Sequence, residues 1–257
     1  MANGAGSPED DARASTLRPP VLDCGGDLSE EAAAPIRAAL SSALSPTVAL
    51  QGHGLEARCA AVAAAADAAH SLSGDRQEAF SLDAAADAAS LKRDLVALAR
   101  RAVEALAPEF PKGAALDARF SMRRYPAMDG TEAAGQRLGA HVDNTLCTLL
   151  WSTGPGLEVL APRTDDAKWT GEDVRQIGLP MMGAAEEPRV AGDDDWAVVD
   201  LAPWDRGAIL LTPGQEWTRC AHTSDAVPLR SPTLHRVVLP SGKARLSLPL
   251  LVSLAAE

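Results

Sequence analysis

The sequence predicts a mainly β protein with supporting helices, and three observations lead to that expectation. Beyond Lys112 the chain changes character, and alanine-rich stretches give way to short β-prone runs at 118–124, 145–151, 157–160, 196–201, 208–212, 234–239 and 244–253. Clusters of Gly, Pro and Asp separate these runs, as in an antiparallel sandwich or barrel. Upstream, Leu91, Leu95, Leu98, Val103 and Leu106 recur at the spacing of one helix face. Finally, hydrophobic residues make up 46% of the 257-residue chain, yet only 3 Phe, 5 Trp and 1 Tyr are among them. A chain of this length easily buries a core, and here the core must rely on Leu and Val.

In chain order, residues 1–17 are small, polar and acidic, and are expected to be a disordered N-terminus. Val21-Leu22-Asp23, after two prolines, is a candidate edge strand. Asp27-Leu28-Ser29-Glu30 has capping-box spacing and opens a helix through about Leu44, which Pro46 stops. Residues 47–50 form a short strand candidate and Gly52-His53-Gly54 a turn. The stretch 56–70 is almost pure alanine and reads as a tightly packed helix ended by Gly74. A longer helix spans 82–106, punctuated by Pro108 and Pro111. The expected organisation is a helical N-terminal region over 18–117 and a β core over 118–257, together one structural unit. Residues 162–195 have poor periodicity and carry nine acidic residues against four basic. They read as a surface insertion, with a substrate lid as the sharper alternative to a solvated loop.

A formal charge of −11 and a pI near 4.9 argue against a non-specific nucleic-acid partner, since such binding asks for a basic face. Cys24, Cys59, Cys147 and Cys220 lie far apart without CxxC spacing, which suggests neither a zinc ribbon nor a disulfide framework and fits a reducing compartment. No apolar run approaches the roughly 20 residues of a membrane span, and no secretory leader is expected. The expectation is a cytoplasmic protein without membrane association. The oligomeric state is left open.

The chemistry concentrates at His141-Val142-Asp143, which opens an apolar run reaching Trp151. Read as one strand, that run puts the imidazole and the carboxylate on the same face. Together they are two thirds of the facial triad that leaves open positions on non-haem Fe(II). His235 starts a second β-like run, and Arg245-Leu246-Ser247 follows ten residues later. On a strand, Arg245 and Ser247 share a face and could hold one carboxylate. A buried Arg in such an apolar strand is costly unless paired, and no acidic residue lies between Lys243 and Glu257. A ligand carboxylate is therefore a candidate partner.

The order His-x-Asp, His, Arg-x-Ser resembles the isopenicillin N synthase-like family of Fe(II)/2-oxoglutarate-dependent dioxygenases. Arg124-Tyr125-Pro126 stands where that family has a Tyr-Pro pair, 138–143 with Thr148-Leu149-Leu150 resembles its metal-bearing strand, and Gly156-Leu157-Glu158-Val159 its Gly-Leu-Gln-Val turn. The likeness covers about 118–253, with a weaker echo at Gly52-His53-Gly54. It implies a double-stranded β-helix, of the jelly-roll or cupin-like kind. It also implies His141, Asp143 and His235 as iron ligands, Arg245 and Ser247 as holders of the distal carboxylate of 2-oxoglutarate, and Tyr125 as an aid there. The implied activity is oxidation of a small organic substrate (hydroxylation, demethylation or desaturation) with O2, releasing succinate and CO2, with ascorbate as a candidate reductant. Arg123 departs from the family, whose plant members commonly have Asn at that place. The 141–235 spacing is also long.

Further pocket candidates are Arg123, Trp151, Trp217 and the loop residue His222, although core packing is the default for the two tryptophans. His53 reads as a turn residue, His70 as a helix end and Cys147 as a small buried hydrophobe. The rival functions are an Fe(II) oxidase of the same fold that does not use 2-oxoglutarate, and a non-catalytic metal-binding protein on this scaffold.

Overall fold

A computed structural model describes residues 15–26, 28–41, 46–69, 78–83, 86–108, 110–127, 135–161, 192, 195–200, 207–217, 231–239 and 242–255. The first half holds strands β1 (Ser15–Leu17), β2 (Val21–Asp23), β3 (Val48–Gln51) and β4 (Glu78–Ser81) with helices α1 (Glu30–Ser41), α2 (Glu56–Ala69) and α3 (Ala86–Leu106). Among its described residues the second half holds a helical turn at 215–217 and the strands β5 (Leu116–Tyr125), β6 (Gly135–His141), β7 (Cys147–Ser152), β8 (Leu157–Leu160), β9 (Trp196–Val199), β10 (Ile209–Pro213), β11 (His235–Leu239) and β12 (Arg245–Leu254).

Strands β5 to β12 form a double-stranded β-helix. One sheet runs β10-β7-β12-β5 and the other β9-β8-β11-β6, with every pairing inside these two sets antiparallel. The N-terminal strands extend both sheets: β2 and β3 beyond β10, β4 beyond β5, and β1 beside β9. The larger sheet thus has seven strands and the smaller five. The β2–β3 and β1–β9 pairs are parallel, so the sandwich is not purely antiparallel.

Strand alternation gives the larger sheet two different faces. On β12, Leu246, Leu248, Leu250 and Val252 point to the helices, and Cys147, Leu149 and Trp151 do the same on β7. They meet Leu91, Leu95, Leu98, Val103 and Leu106 of α3, the stripe expected from sequence, with Cys59 and Ala63 of α2. Alanines at 88, 99, 102 and 105 let α3 lie close, because their short side chains hold no backbone apart. The opposite face of the larger sheet meets the smaller one through Ala49, Leu210 and Leu150 against Leu157, Val159 and Val199. The functional pocket opens in this inter-sheet space.

Several boundaries differ from expectation. Ser15–Leu17 are not part of a disordered tail, because their backbone pairs in register with Ala197–Val199. The cap of α1 is Ser29, whose Oγ accepts the Ala32 N–H at 3.1 Å, two residues later than the expected box. β4 was not foreseen, and α3 begins at Ala86 instead of 82. Most consequentially, the run from His141 to Trp151 is not one strand. β6 ends at His141, the chain turns through residues 144–146, and β7 begins at Cys147 in the other sheet. The expected helix end at His70 and almost all of the acidic 162–195 segment lie outside the described residues.

Gly156 turns the chain from β7 to β8 with φ 108°, a conformation L side chains rarely adopt. A Cβ there would stand 2.6 Å from Val238 O, whose own N–H is donated to Gly156 O at 2.8 Å. No helix among the described residues is long and apolar enough to cross a membrane.

Leu250 sits between β5 and β7 with no exposure. Leu250→Ala is expected to cost about 2–5 kcal/mol, read as a lowered urea midpoint. Val21→Ala, at an exposed edge position, should move stability by no more than about 0.5 kcal/mol.

Candidate metal centre

Three elements bring His141, Asp143 and His235 together. His141 closes β6, His235 opens β11, and the two are direct antiparallel partners. Their rings lie 4.2 Å apart between centroids. Asp143 follows two residues after His141 on the turn into β7. One donor atom from each of the three falls within 4.8 Å of the others. The shared face expected from i, i+2 spacing is therefore reached by a turn, and the strand argument for it does not hold.

Backbone carbonyls orient both imidazoles. His141 Nδ1 donates to Gly139 O at 2.8 Å and His235 Nδ1 to Thr233 O at 3.1 Å. A carbonyl only accepts, so each Nδ1 carries the proton and each Nε2 keeps its lone pair for a metal. Asp143 Oδ2 accepts a 2.5 Å hydrogen bond from Thr148 Oγ1, while Oδ1 faces His141 Nε2 at 3.7 Å. Burial pushes the His141 pKa down to about 4, and the charges of His235 and Arg123 act in the same direction against Gly139 O and Asp143. For Asp143, burial acts upward but is outweighed by His235, the Thr148 hydroxyl, His141 and Arg123, which hold it below the usual carboxylate range. His141 thus stands at neutral pH as a neutral imidazole and Asp143 as a carboxylate, with His235 as the third donor residue. That is the two-histidine, one-carboxylate set suited to Fe(II).

The turn carrying Asp143 is itself pinned. Gln215 N donates to Asp143 O at 2.9 Å, Glu216 N to Thr145 O at 3.0 Å and Gly214 N to Leu146 O at 2.9 Å. A Cβ at Gly214 would stand 2.2 Å from Thr145 O and 2.8 Å from Asp143 O, so only glycine fits this approach.

Behind the triad, β12 turns Arg245, Ser247, Pro249 and Leu251 into the same pocket. Arg245 is only 2% exposed. Its Nε donates to Ser152 Oγ at 2.7 Å, and its guanidinium carbon lies 5.6 Å from the Tyr125 ring centre. Nη1 is buried with no hydrogen-bond partner among the described residues. Burial lowers the Arg245 pKa to about 10, with Tyr125 opposing, so the cation persists at neutral pH. Tyr125, opposite Arg245 on β5, has its hydroxyl in hydrogen-bonding contact with Ser247. An unpartnered guanidinium nitrogen beside two hydroxyls suits a carboxylate, while the triad suits a metal. Both groups therefore fit the residues that face this space. The pocket has an empty volume of about 510 Å³, mouth included, and Leu138, Leu150, Leu157 and Val237 complete its apolar walls.

Seven of the ten candidate residues line this pocket: His141, Asp143, His235, Arg245, Ser247, Tyr125 and Arg123. Trp151 and Trp217 do not. Both pack into the helix-facing core, Trp151 because it lies one residue out of phase with Leu150 and Ser152. His222 is outside the described residues. His53 is a turn residue whose Nδ1 accepts the Leu55 N–H at 3.1 Å, and Cys147 is fully buried with its thiol pKa pushed up by that burial. Thr148, Ser152 and Gly214 were missed. The period-two phase of β7 could have pointed to the first two.

Among solved structures, the chain is similar to JOX2 in complex with 2OG, Fe and JA, with a TM-score of 0.64 and 14% identity over 95% of this chain and 77% of that one. The dioxygenase for auxin oxidation in rice gives 0.55 and 19% over 93% and 84%. A full-length Neurospora crassa protein in complex with alpha-KG gives 0.57 and 14% over 92% and 84%. The chain has the 2-oxoglutarate oxygenase fold. No protein-family model and no curated protein matches the sequence. At these identities the likeness concerns the path of the backbone.

Thr148→Val and Gly214→Ala both act on Asp143 without touching a donor atom. Each is expected to weaken Mn(II) binding about 10–100-fold, the usual effect of losing an outer-shell partner. Anaerobic calorimetry measures it, and wild-type affinity in both variants would separate Asp143 from the metal.

Proposed function

We propose that this protein is an Fe(II)- and 2-oxoglutarate-dependent oxygenase that oxidises a small organic molecule with O2 and releases succinate and CO2. The observation that carries the reading is Arg245, a fully buried cation with an unpartnered Nη1, opening into the same pocket as a triad of metal donors. Either feature alone has other uses. Together they suit a ligand with a carboxylate at one end and a chelating group at the other.

In this reading His141, Asp143 and His235 hold Fe(II), while Arg245, Ser247 and Tyr125 hold the distal carboxylate of 2-oxoglutarate. The metal and cosubstrate supply the oxidising chemistry when bound, with ascorbate as a candidate reductant. The protein's own residues position and exclude. Thr233 and Gly139 carbonyls fix the imidazole tautomers, Thr148 aims one carboxylate oxygen, and the leucine and valine walls keep water from the reacting end. The neighbours' own ligands support a small-molecule substrate, since JOX2 was crystallised with JA and the rice protein is named for auxin oxidation.

Incubation with Fe(II), O2 and 2-oxoglutarate is expected to yield succinate, and its absence under turnover with candidate substrates would favour an oxidase that does not use the 2-oxo acid. Arg245→Ala should raise the KM for 2-oxoglutarate by about 10-fold or more, the scale of a lost charged hydrogen bond. Anaerobically, the charge-transfer absorption of the chelate should form in wild type and be missing in Asp143→Ala. Identical spectra would overturn the metal assignment.

A further inference from the structure

The pocket has a closed end and an open end, and strand register identifies them. β5 and β12 pair without a shift from Tyr125 and Arg245 to Leu116 and Leu254. Alternation therefore carries the pocket face of β5 from Tyr125 and Arg123 on through Ser121, Arg119 and Asp117. Ala118, Phe120 and Met122 fit this phase, because they pack into the helix-facing core. Along the pocket face Tyr125 is buried, Arg123 and Ser121 are half-buried, and Arg119 and Asp117 are exposed. β12 has the same gradient, with Arg245, Ser247 and Pro249 buried and Leu251 and Ser253 half-buried.

The exposed end is the metal end. Arg119 is the register partner of Leu251, Leu251 is that of Thr148, and the Thr148 hydroxyl holds Asp143. Arg119 thus stands on the rim, four residues or about 13 Å along the strand from Arg123. It lies further still from the Arg245 floor. A molecule that approaches the metal from solvent passes this rim.

The Arg119 guanidinium makes no hydrogen bond or ion pair among the described residues. Asp117, one pleat further out, does not neutralise it and accepts the Ala118 N–H at 2.8 Å instead. Inward from the rim the wall is apolar through Leu251, Pro249 and Leu150. One free cation above an apolar wall suits a ligand with a single negative group and a hydrocarbon body. The forked donors of a guanidinium match one carboxylate.

We propose that Arg119 anchors the substrate, and that the substrate is a small organic acid. Its carboxylate would rest on Arg119 at the rim, its apolar body along Leu251 and Pro249, and its reacting carbon at the metal. The proposal deepens the oxygenase reading and rests on it. The acid is a separate molecule from 2-oxoglutarate, which that reading seats at the Arg245 end.

The test is anaerobic calorimetry on the full chain loaded with Mn(II) and saturating 2-oxoglutarate. The probes are hexanoate and phenylacetate at millimolar concentration, each beside its neutral amide. Wild type is expected to bind at least one acid about 3- to 5-fold more tightly than its amide at low ionic strength, the upper range for an exposed ion pair. That preference should shrink at about 0.5 M salt, where exposed charges are screened. Arg119→Ala should abolish it, Arg119→Lys should keep most of it, and Arg119→Glu should reverse it. A wild type that prefers neither acid over its amide overturns the proposal, and so does a preference that survives Arg119→Ala. Weaker 2-oxoglutarate binding in Arg119→Ala and Arg119→Lys alike overturns it in favour of a structural role on β5. If the Mn(II)-loaded wild type takes up no 2-oxoglutarate at all, it is the cosubstrate reading that fails.

Discussion

Among the described residues the most deeply buried charged side chain is that of Arg245, and much of the architecture is arranged around it. Desolvating such an ion costs several kcal/mol even in a relaxed protein interior. Here it is met by one hydroxyl, Ser152 Oγ, and the face of Tyr125. That leaves Nη1 unmatched, which a strand edge or loop would not tolerate for long without collapsing or exposing the charge to water. β12 can hold it because it lies between β5 and β7 along nearly its whole length. Each residue that points into the pocket is followed by one that points into the helix-facing core. Leu246, Leu248, Leu250 and Val252 anchor the strand, and that anchorage keeps Arg245, Ser247, Pro249 and Leu251 where they are. Full burial of one leucine contributes on the order of 1.5–3 kcal/mol, so a few such residues offset one strained cation.

The same coupling explains which parts of the site were legible in the sequence. Arg245-x-Ser247 could be read because both residues sit inside one long regular strand, where spacing two means one face. His235 could be read because it begins an apolar run that is in fact a strand. The partnership of His141 and Asp143 was found on a premise that fails. The stretch from Val142 to Trp151 reads as one β-prone run, and the polar Asp143-Asn144-Thr145 within it is the one mark of the passage from one sheet to the other. Thr145 and Leu146 are fully buried within that turn, so the turn carries none of the Gly and Pro that normally betray one. Its geometry is dictated from outside, by backbone donors at 214–216 that lie far away in sequence.

Trp151 and Trp217 illustrate the converse failure. Large aromatics near a presumed site invite assignment to its walls, but phase decides: on β7 the pocket face carries Thr148 and Leu150, and Trp151 falls on the other. With the strand boundary placed at Cys147, that phase could have been counted from the sequence. Ser152 would then have emerged on the pocket face as a partner for Arg245. β1 and β4 were illegible for a different reason. Each is an edge strand of three or four residues held by backbone pairing, and edge pairing leaves little trace in side-chain pattern.

The two ends of the pocket are thus built by different physics. The Arg245 end is a regular sheet whose side chains are positioned by pleat and by core packing, so it is stiff for the same reasons the core is stiff. The triad end is assembled from a strand terminus, a strand start and a turn, each oriented by backbone carbonyls and amides from outside its own element. An end of that kind tolerates substitution in its surroundings poorly, because an error of one hydrogen bond rotates a donor atom away from the others. It is also less fixed by core packing than a sheet interior, since His141 and His235 stand at strand ends and Asp143 on a turn. Arg123 stands where these two regimes meet, on a regular strand but in electrostatic reach of the triad. A charge placed there is held by the stiff half of the pocket and felt by the adaptable half, so β5 can tune the metal end without disturbing its hydrogen bonds.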